Sequence, residues 1–225
     1  MKRNTETQEA NIIYFTSTYS YDYIDLVQKI DKLKAVQIKV VNNYDSLLTP
    51  LPEKCTNYLI SDRSSVIFPN SILSKFNISI NTHPSLLPLH KGSYALFWSL
   101  IMGHPTGTTV HFMDSGIDTG KIISQIYLDI TPDHTFKDAY SMYRKNIGVQ
   151  LLDIIEHMHL GTSRKYYPLN FDSTVYGKFA DRYWHKKKTS EPIIKLLPDG
   201  WNTPVSKAKL ILSEYIKDHK ISSVE

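Results

Sequence analysis

Residues 81–120 read NTHPSLLPLHKGSYALFWSLIMGHPTGTTVHFMDSGIDTG, and they carry most of what this sequence discloses. The stretch opens inside residues 78–83, Ile-Ser-Ile-Asn-Thr-His, whose β-branched residues read as a strand terminated by Pro84. Asn81 and His83 are two positions apart, so in a strand both side chains lie on one face. Residues 93–102 are mostly apolar and read as a helix that Gly103 ends. Residues 108–113 and 122–130 read as two strands joined by a loop holding Asp114, Gly116, Asp118 and Gly120.

Working upstream, residues 12–15 read as a buried strand and residues 35–41 as a second, alternating one. Between them, Ile24, Val27, Ile30 and Leu33 recur at helical spacing across residues 21–33. Residues 42–53 hold two prolines and read as loop or a brief helical turn. Residues 58–60 read as a third strand, and Pro69 opens a short helix to about residue 75. Downstream, Thr135 is placed to cap a long helix running to about Leu160, with Gly161 at its end. This alternation predicts an α/β fold with an open sheet and helices on both faces. Ligands of such sheets bind outside the carboxyl ends of the strands, where Asn81 and His83 fall.

From Gly161 the texture becomes aromatic and basic, with Arg182-Tyr-Trp-His-Lys-Lys-Lys188 at its centre. This reads as hairpin or loop until Thr203-Pro204 starts a last helix, with Val205, Ala208, Ile211, Tyr215 and Ile216 on one face. The expected organisation is therefore a mobile polar arm over residues 1–10, a main domain over 11–160, and a short C-terminal extension over 161–225.

Composition narrows the function. The chain has 225 residues, 41% hydrophobic and 21% charged, an ordinary globular balance. Its one cysteine, Cys55, excludes an internal disulfide and a multi-cysteine metal site. His157 and His159 do not share a helix face, so no metal ligand set is expected. The longest apolar run, residues 94–102, falls far short of the ~20 residues that span a bilayer. A cytoplasmic setting without membrane is expected. The net charge of +4 suits an anionic small substrate and is weak support for nucleic acid. None of the nine glycines precedes Gly92, which excludes a glycine-rich dinucleotide loop after the first strand. Gly116–Lys121 is one residue short of a phosphate loop, and Ile122 stands where a magnesium-binding hydroxyl would be needed.

Taken alone, an Asn-x-His pair at a strand end is a common structural feature, and Asp between glycines is ordinary turn composition. The whole pattern is more specific. Asn81, His83, Ser85, Leu87, Pro88, Gly92, Asp118 and Gly120 resemble the catalytic core of the formyltransferases that use 10-formyltetrahydrofolate. The resemblance runs from Ile12 to Tyr127 and implies a mostly parallel, Rossmann-like sheet of the formyltransferase type. It also implies transfer of a formyl group from 10-formyltetrahydrofolate to an amine. Asn81, His83 and Asp118 then hold the catalytic positions. The oxyanion formed by amine attack needs placed donors, which Asn81 and a protonated His83 supply. Asp118 favours the imidazolium and can take the amine proton. By the same analogy Val66, Ile67 and Phe68, with Asp114 and Gly116, line the folate pocket. Ser85, Lys91 and Gly92 fall on the acceptor side, where Lys91 meets a pyrophosphate or stays in solvent.

The 16–20 segment, Thr16-Ser-Thr-Tyr-Ser20, lacks the phosphate-binding glycine of glycinamide ribonucleotide formyltransferase. The 161–225 segment is too short for the second domain of methionyl-tRNA formyltransferase. The resemblance is closest to sugar N-formyltransferases. It implies a nucleotide-linked acceptor such as dTDP-4-amino-4,6-dideoxyglucose or a dTDP-3-amino isomer, a product bound for surface polysaccharide such as O-antigen, and a homodimer formed through C-terminal elements. The competing readings are glycinamide ribonucleotide formylation, a 10-formyltetrahydrofolate hydrolase, and a non-catalytic folate- or nucleotide-sugar-binding module.

Overall fold

The computed structural model describes residues 9–17, 22–33, 35–159, 183–185 and 187–218. The described strands are β1 (Ala10–Phe15), β2 (Val36–Val41), β3 (Thr56–Ser61), β4 (Ile78–His83), β5 (Lys91–Gly92), β6 (Gly107–Phe112), β7 (Ile122–Tyr127) and β8 (Tyr183–His185). The helices are α1 (Asp22–Asp31), α2 (Asn70–Leu73), α3 (Ala95–Met102), α4 (Phe136–His159), α5 (Lys187–Ile194) and α6 (Val205–Asp218).

Six strands form one open sheet in the order β2-β1-β3-β4-β6-β7. β1 pairs in parallel with β2 and β3, and β3 in parallel with β4. All six residues of β1 are buried, which explains why Asn-Ile-Ile-Tyr-Phe shows no simple alternation. The β6–β7 pair differs. Phe112 N–H donates to Lys121 O, and Leu128 N–H to Thr106 O, so these strands run antiparallel. The sheet is thus the mostly parallel α/β sheet expected from the sequence.

The chain divides into two compact units, one of Met1–Thr82, Val110–Ser124 and Ile147–Tyr167, the other of His83–Thr109, Gln125–Asn146 and Pro168–Glu225. The first has a core of Ile13, Phe15, Val41, Leu47, Leu59, Phe68, Ile72 and Phe76. Phe15 and Phe68 meet edge to face, with centroids 5.1 Å apart, the arrangement their ring quadrupoles favour. In the second, Phe97 lies 5.3 Å from both the Trp98 and Phe136 rings and 6.4 Å from the Trp201 ring. Trp98 Nε1 donates to Ser190 Oγ at 2.9 Å, so this buried indole has its partner.

α4 starts on a capping box: Asp138 N–H donates to Thr135 Oγ1 at 3.1 Å, and Thr135 N–H donates back to Asp138 Oδ2 at 3.0 Å. The predicted start at Thr135 is therefore correct for a local, short-range reason. Three expectations need correction. Residues 187–194, expected as hairpin or loop, form α5 with Pro192 inside it. The helix expected from residue 93 begins at Ala95, because Tyr94 is left-handed at φ +59°. On α6 the buried positions are Val205, Ala208 and Leu212, while Ile211 is exposed. The stripe expected at Val205 and Ala208 is therefore correct there, and it continues at Leu212 rather than Ile211. Residues 1–8, Gly161, Arg182, Lys186, and the side chains of Tyr183, Trp184, Tyr215 and Ile216 lie outside the described residues.

Candidate active site

β4 carries Asn81, Thr82 and His83 at its carboxyl end. In the first unit, Asn81 Nδ2 lies 3.1 Å from His111 Nε2 and 3.4 Å from Asp118 Oδ1. His111 Nδ1 is 2.7 Å from the carbonyl of Phe112. A carbonyl only accepts, so Nδ1 carries the hydrogen and Nε2 is the nitrogen that accepts from Asn81. This orients the Asn81 amide, with both hydrogens of its nitrogen directed at His111 and Asp118. His111 Nε2 also lies 3.6 Å from Asp118 Oδ1. Nothing in the sequence singles out His111, yet it touches two of the three residues expected to be catalytic. It lies near the end of a strand neighbouring β4.

Asp118 sits in the β6–β7 loop at φ +53°, the left-handed region that aspartate tolerates better than most side chains. The loop is tied by Asp114, whose Oδ1 accepts from Gly116 N–H at 3.0 Å and from Thr119 Oγ1 at 2.5 Å. At Gly120 a Cβ would run into the carbonyl of Phe112, so only glycine lets the loop return this closely to β6.

Beneath this end of the sheet lies a group the sequence reading missed. Asp62 is completely buried. It accepts from Tyr14 Oη and from Thr82 Oγ1, each at 2.6 Å, and Arg63 Nε is 3.7 Å away. Thr82 points to the face opposite Asn81 and His83. The Asp62 carboxylate therefore anchors the strand between the two candidate residues.

In the second unit, His83 is buried, and its Nε2 lies 3.0 Å from the carbonyl of His90. The loop that follows is stitched by Thr109, which donates to Ser85 O at 2.7 Å and accepts from Leu87 N–H at 3.1 Å. Gln125 Nε2 donates to Leu87 O at 2.9 Å and to Thr109 Oγ1 at 3.0 Å. Ser85 is itself fully buried and donates to Leu89 O at 2.6 Å. Its hydroxyl thus shapes the loop leading to Lys91 and Gly92. These last two form β5, half-buried, and pair with Tyr183 and His185 of β8. Tyr94 donates to Glu191 Oε1 at 3.2 Å. Burial foremost, and then this bond and the carboxylate's charge, raise its phenol above the ordinary tyrosine pKa.

Val66, Ile67 and Phe68 belong to the first unit. Phe68 is buried in its core while Ile67 is 66% exposed. Val66 N–H donates to Ser64 Oγ at 2.9 Å, and the same hydroxyl contacts Val66 O at 3.3 Å. The described non-glycine residues with positive φ are Ala35, Arg63 after β3, His90 and Tyr94 around β5, and Asp118 in the β6–β7 loop. Such backbone costs roughly 1–3 kcal/mol per residue and concentrates at functional sites. Among the described residues, no group of three His, Cys, Asp or Glu side chains can hold a metal ion. No described helix is long and apolar enough to cross a membrane.

Within the first unit this arrangement offers an oriented amide, one histidine and a nearly buried carboxylate, groups suited to donating to an oxyanion and to moving a proton. The formyl transferase family matches residues 58–153. The fold is similar to that of the formyltransferase PseJ from Anoxybacillus kamchatkensis, with a TM-score of 0.66 and 26% identity, covering 88% of this chain and 97% of that one. PseJ was captured with UDP-4,6-dideoxy-4-formamido-L-AltNAc and tetrahydrofolate. A sugar N-formyltransferase from a Shewanella species shares the fold, with a TM-score of 0.64 at 20% identity over 90% of this chain and 86% of that one. Among curated proteins, methionyl-tRNA formyltransferase from Desulforamulus reducens is 34% identical over 134 residues, 59% of this chain. That match spans 40% of the relative's length, and another, to mouse mitochondrial 10-formyltetrahydrofolate dehydrogenase, spans 8%. The chain thus spans well under half the length of these curated relatives. Residues 58–153 of this chain match the formyl transferase family, and the fold is similar to that of the formyltransferase PseJ.

Proposed function

We propose that this protein transfers the formyl group of 10-formyltetrahydrofolate to the amine of a nucleotide-linked amino sugar. The observation that carries this reading is the end of β4. Asn81 is held there beside Asp118, and His83 follows two residues later on the same strand face. The likeness to PseJ over most of both chains supports a nucleotide sugar as the acceptor.

In this reading, attack of the neutral amine on the formyl carbon turns the carbonyl oxygen into an oxyanion. Asn81 Nδ2 donates to that oxygen, redirecting one hydrogen from His111 or Asp118. His83 in its protonated form delivers a proton to the departing folate nitrogen. Asp118 takes the proton that the attacking amine sheds. Val66–Phe68 and the loop of Asp114 and Gly116 hold the folate, while Lys91 and Gly92, on the loop shaped by Ser85, face the nucleotide sugar. The finer form of the proposal is a dTDP-linked amino-dideoxyhexose destined for surface polysaccharide, handled by a homodimer in the cytoplasm.

The test incubates the protein with 10-formyltetrahydrofolate and dTDP-4-amino, dTDP-3-amino and UDP-amino sugars beside glycinamide ribonucleotide. Mass spectrometry reads which amine gains a formyl group. A formylated nucleotide sugar is the expected result. Formylated glycinamide ribonucleotide, or formate released with no formylated amine, overturns it. His83→Ala, checked for folding by circular dichroism, should lose roughly 10²–10⁴-fold in turnover. Near-wild-type turnover in that variant would remove His83 from the mechanism.

A further inference from the structure

His83 Nε2 and the carbonyl of His90 are 3.0 Å apart. Because a carbonyl only accepts, His83 carries a hydrogen on Nε2. Any proton that the ring gains or gives up therefore moves at Nδ1. The carbonyl reaches His83 through an unusual backbone, since His90 has φ +53°. Glycine would adopt that conformation without strain, so a histidine there needs another reason. Its ring supplies one. His90 is fully buried, and its Nε2 lies 2.9 Å from His104 Nδ1, with ring centroids 4.9 Å apart. His104 in turn is fixed at the end of α3. There Gly103 turns left-handed at φ +69°, and His104 N–H donates to Ser99 O at 2.9 Å.

We infer that His104, acting through His90, is a positioning residue for His83. The two rings clamp the left-handed turn, the turn aims the His90 carbonyl, and the carbonyl holds His83 in the tautomer that leaves Nδ1 as the working nitrogen. The inference rests on His83 being the catalytic acid proposed above. The clamp needs one hydrogen between the two facing nitrogens, which a pair of neutral rings supplies. Burial holds the His104 pKa below the ordinary histidine value, which favours the neutral form of that ring at neutral pH. A glycine at position 90 would satisfy the backbone and lose the clamp. A histidine elsewhere than 104 would leave the His90 ring without this fixed partner.

The test uses the full chain with His104→Phe and His104→Asn. Asparagine can place a polar atom near the position of Nδ1, whereas phenylalanine cannot. Steady-state kinetics are measured with 10-formyltetrahydrofolate and the accepted amine. Imidazole nitrogen shifts of His83, assigned by their loss in His83→Gln, report its tautomer. His104→Phe should lower kcat by ~10- to 100-fold, as small displacements of a reacting group do, and leave KM for both substrates within about twofold. The His83 spectrum should change from the single Nε2–H pattern to a mixture. His104→Asn should recover most of kcat. A His104→Phe protein with wild-type kcat, or with an unchanged His83 tautomer, overturns the inference. If that variant does not fold, His104→Gln takes its place, because its polar atoms sit one bond too far out. The tautomer readout needs no turnover. Activity retained in His83→Gln therefore counts against the catalytic reading, and an unmoved tautomer counts against the clamp.

Discussion

Removing the Asp62 carboxylate should be among the costliest single changes in this protein. Its side chain is fully buried and receives the Tyr14 and Thr82 hydroxyls, both at 2.6 Å. Hydrogen bonds to a charged group contribute roughly 1.5–3 kcal/mol each. Asp62→Ala removes the acceptor shared by two buried donors, since Tyr14 and Thr82 are 0% and 4% exposed. The sum is about 3–6 kcal/mol, a large share of the ~5–15 kcal/mol that stabilises a typical domain. Asp62→Asn keeps one accepting oxygen and lets one hydroxyl turn round to accept. Two neutral bonds then replace two charge-assisted ones, at a cost of roughly 1–3 kcal/mol. Urea denaturation reads both, as a lowered midpoint at unchanged slope. A double-mutant cycle with Tyr14→Phe isolates one arm, and its coupling energy should be about 1.5–3 kcal/mol. An Asp62→Ala protein within ~0.5 kcal/mol of wild type, the range of an ordinary surface change, would refute the anchoring role of Asp62.

Gly107→Ala should destabilise by roughly 1–3 kcal/mol, because its methyl would meet Leu86 and the carbonyl of Ile126, a backbone atom that cannot swing aside; thermal melting checks this. The capping box at α4 makes stability depend on pH in a stated direction. The Thr135 N–H, and then its hydroxyl, hold the Asp138 carboxyl below its ordinary pKa. The stabilisation is therefore complete above the unfolded carboxyl pKa and disappears as pH falls through the lower folded value. Asp138→Asn should be less stable than wild type at neutral pH, and the gap should close in strong acid. A gap that does not depend on pH would show that the charge contributes nothing.

The succession of strands and helices along the chain, and the residues of the candidate site, were legible where the signal was local. Pro84 ends β4 and aligns Asn81 with His83, while Thr135 and Asp138 mark a helix start three residues apart. Contacts between residues distant in sequence were not legible. Asp62 finds Tyr14 across 48 positions and Thr82 across 20, and nothing near it announces a buried carboxylate. The partners of His111 arrive from β4 and from the β6–β7 loop, so its sequence neighbours do not reveal its place. Residues 187–194 form α5 with lysines at 187 and 188 and Pro192 inside it, local features that do not announce a helix. On α6, Leu210, Ile211 and Leu212 are consecutive apolar residues, and composition alone does not say which one turns inward.

The pairing of β5 with β8 also has a consequence for the order in which the protein becomes complete. Lys91 and Gly92 leave the ribosome long before Tyr183 and His185, the residues that give them their strand partner. The anchors of α3 come from the same late segment: Tyr94 waits for Glu191 across 97 positions, and Trp98 for Ser190 across 92. At ~5–20 residues per second, synthesis of that interval takes about 5–20 s. By then β1 to β4 have long been available to pair, so the sheet can form early while the loop bearing Lys91 and Gly92 still lacks its closure. The nascent chain can therefore pair β1 to β4 first and complete the β5–β8 pair last.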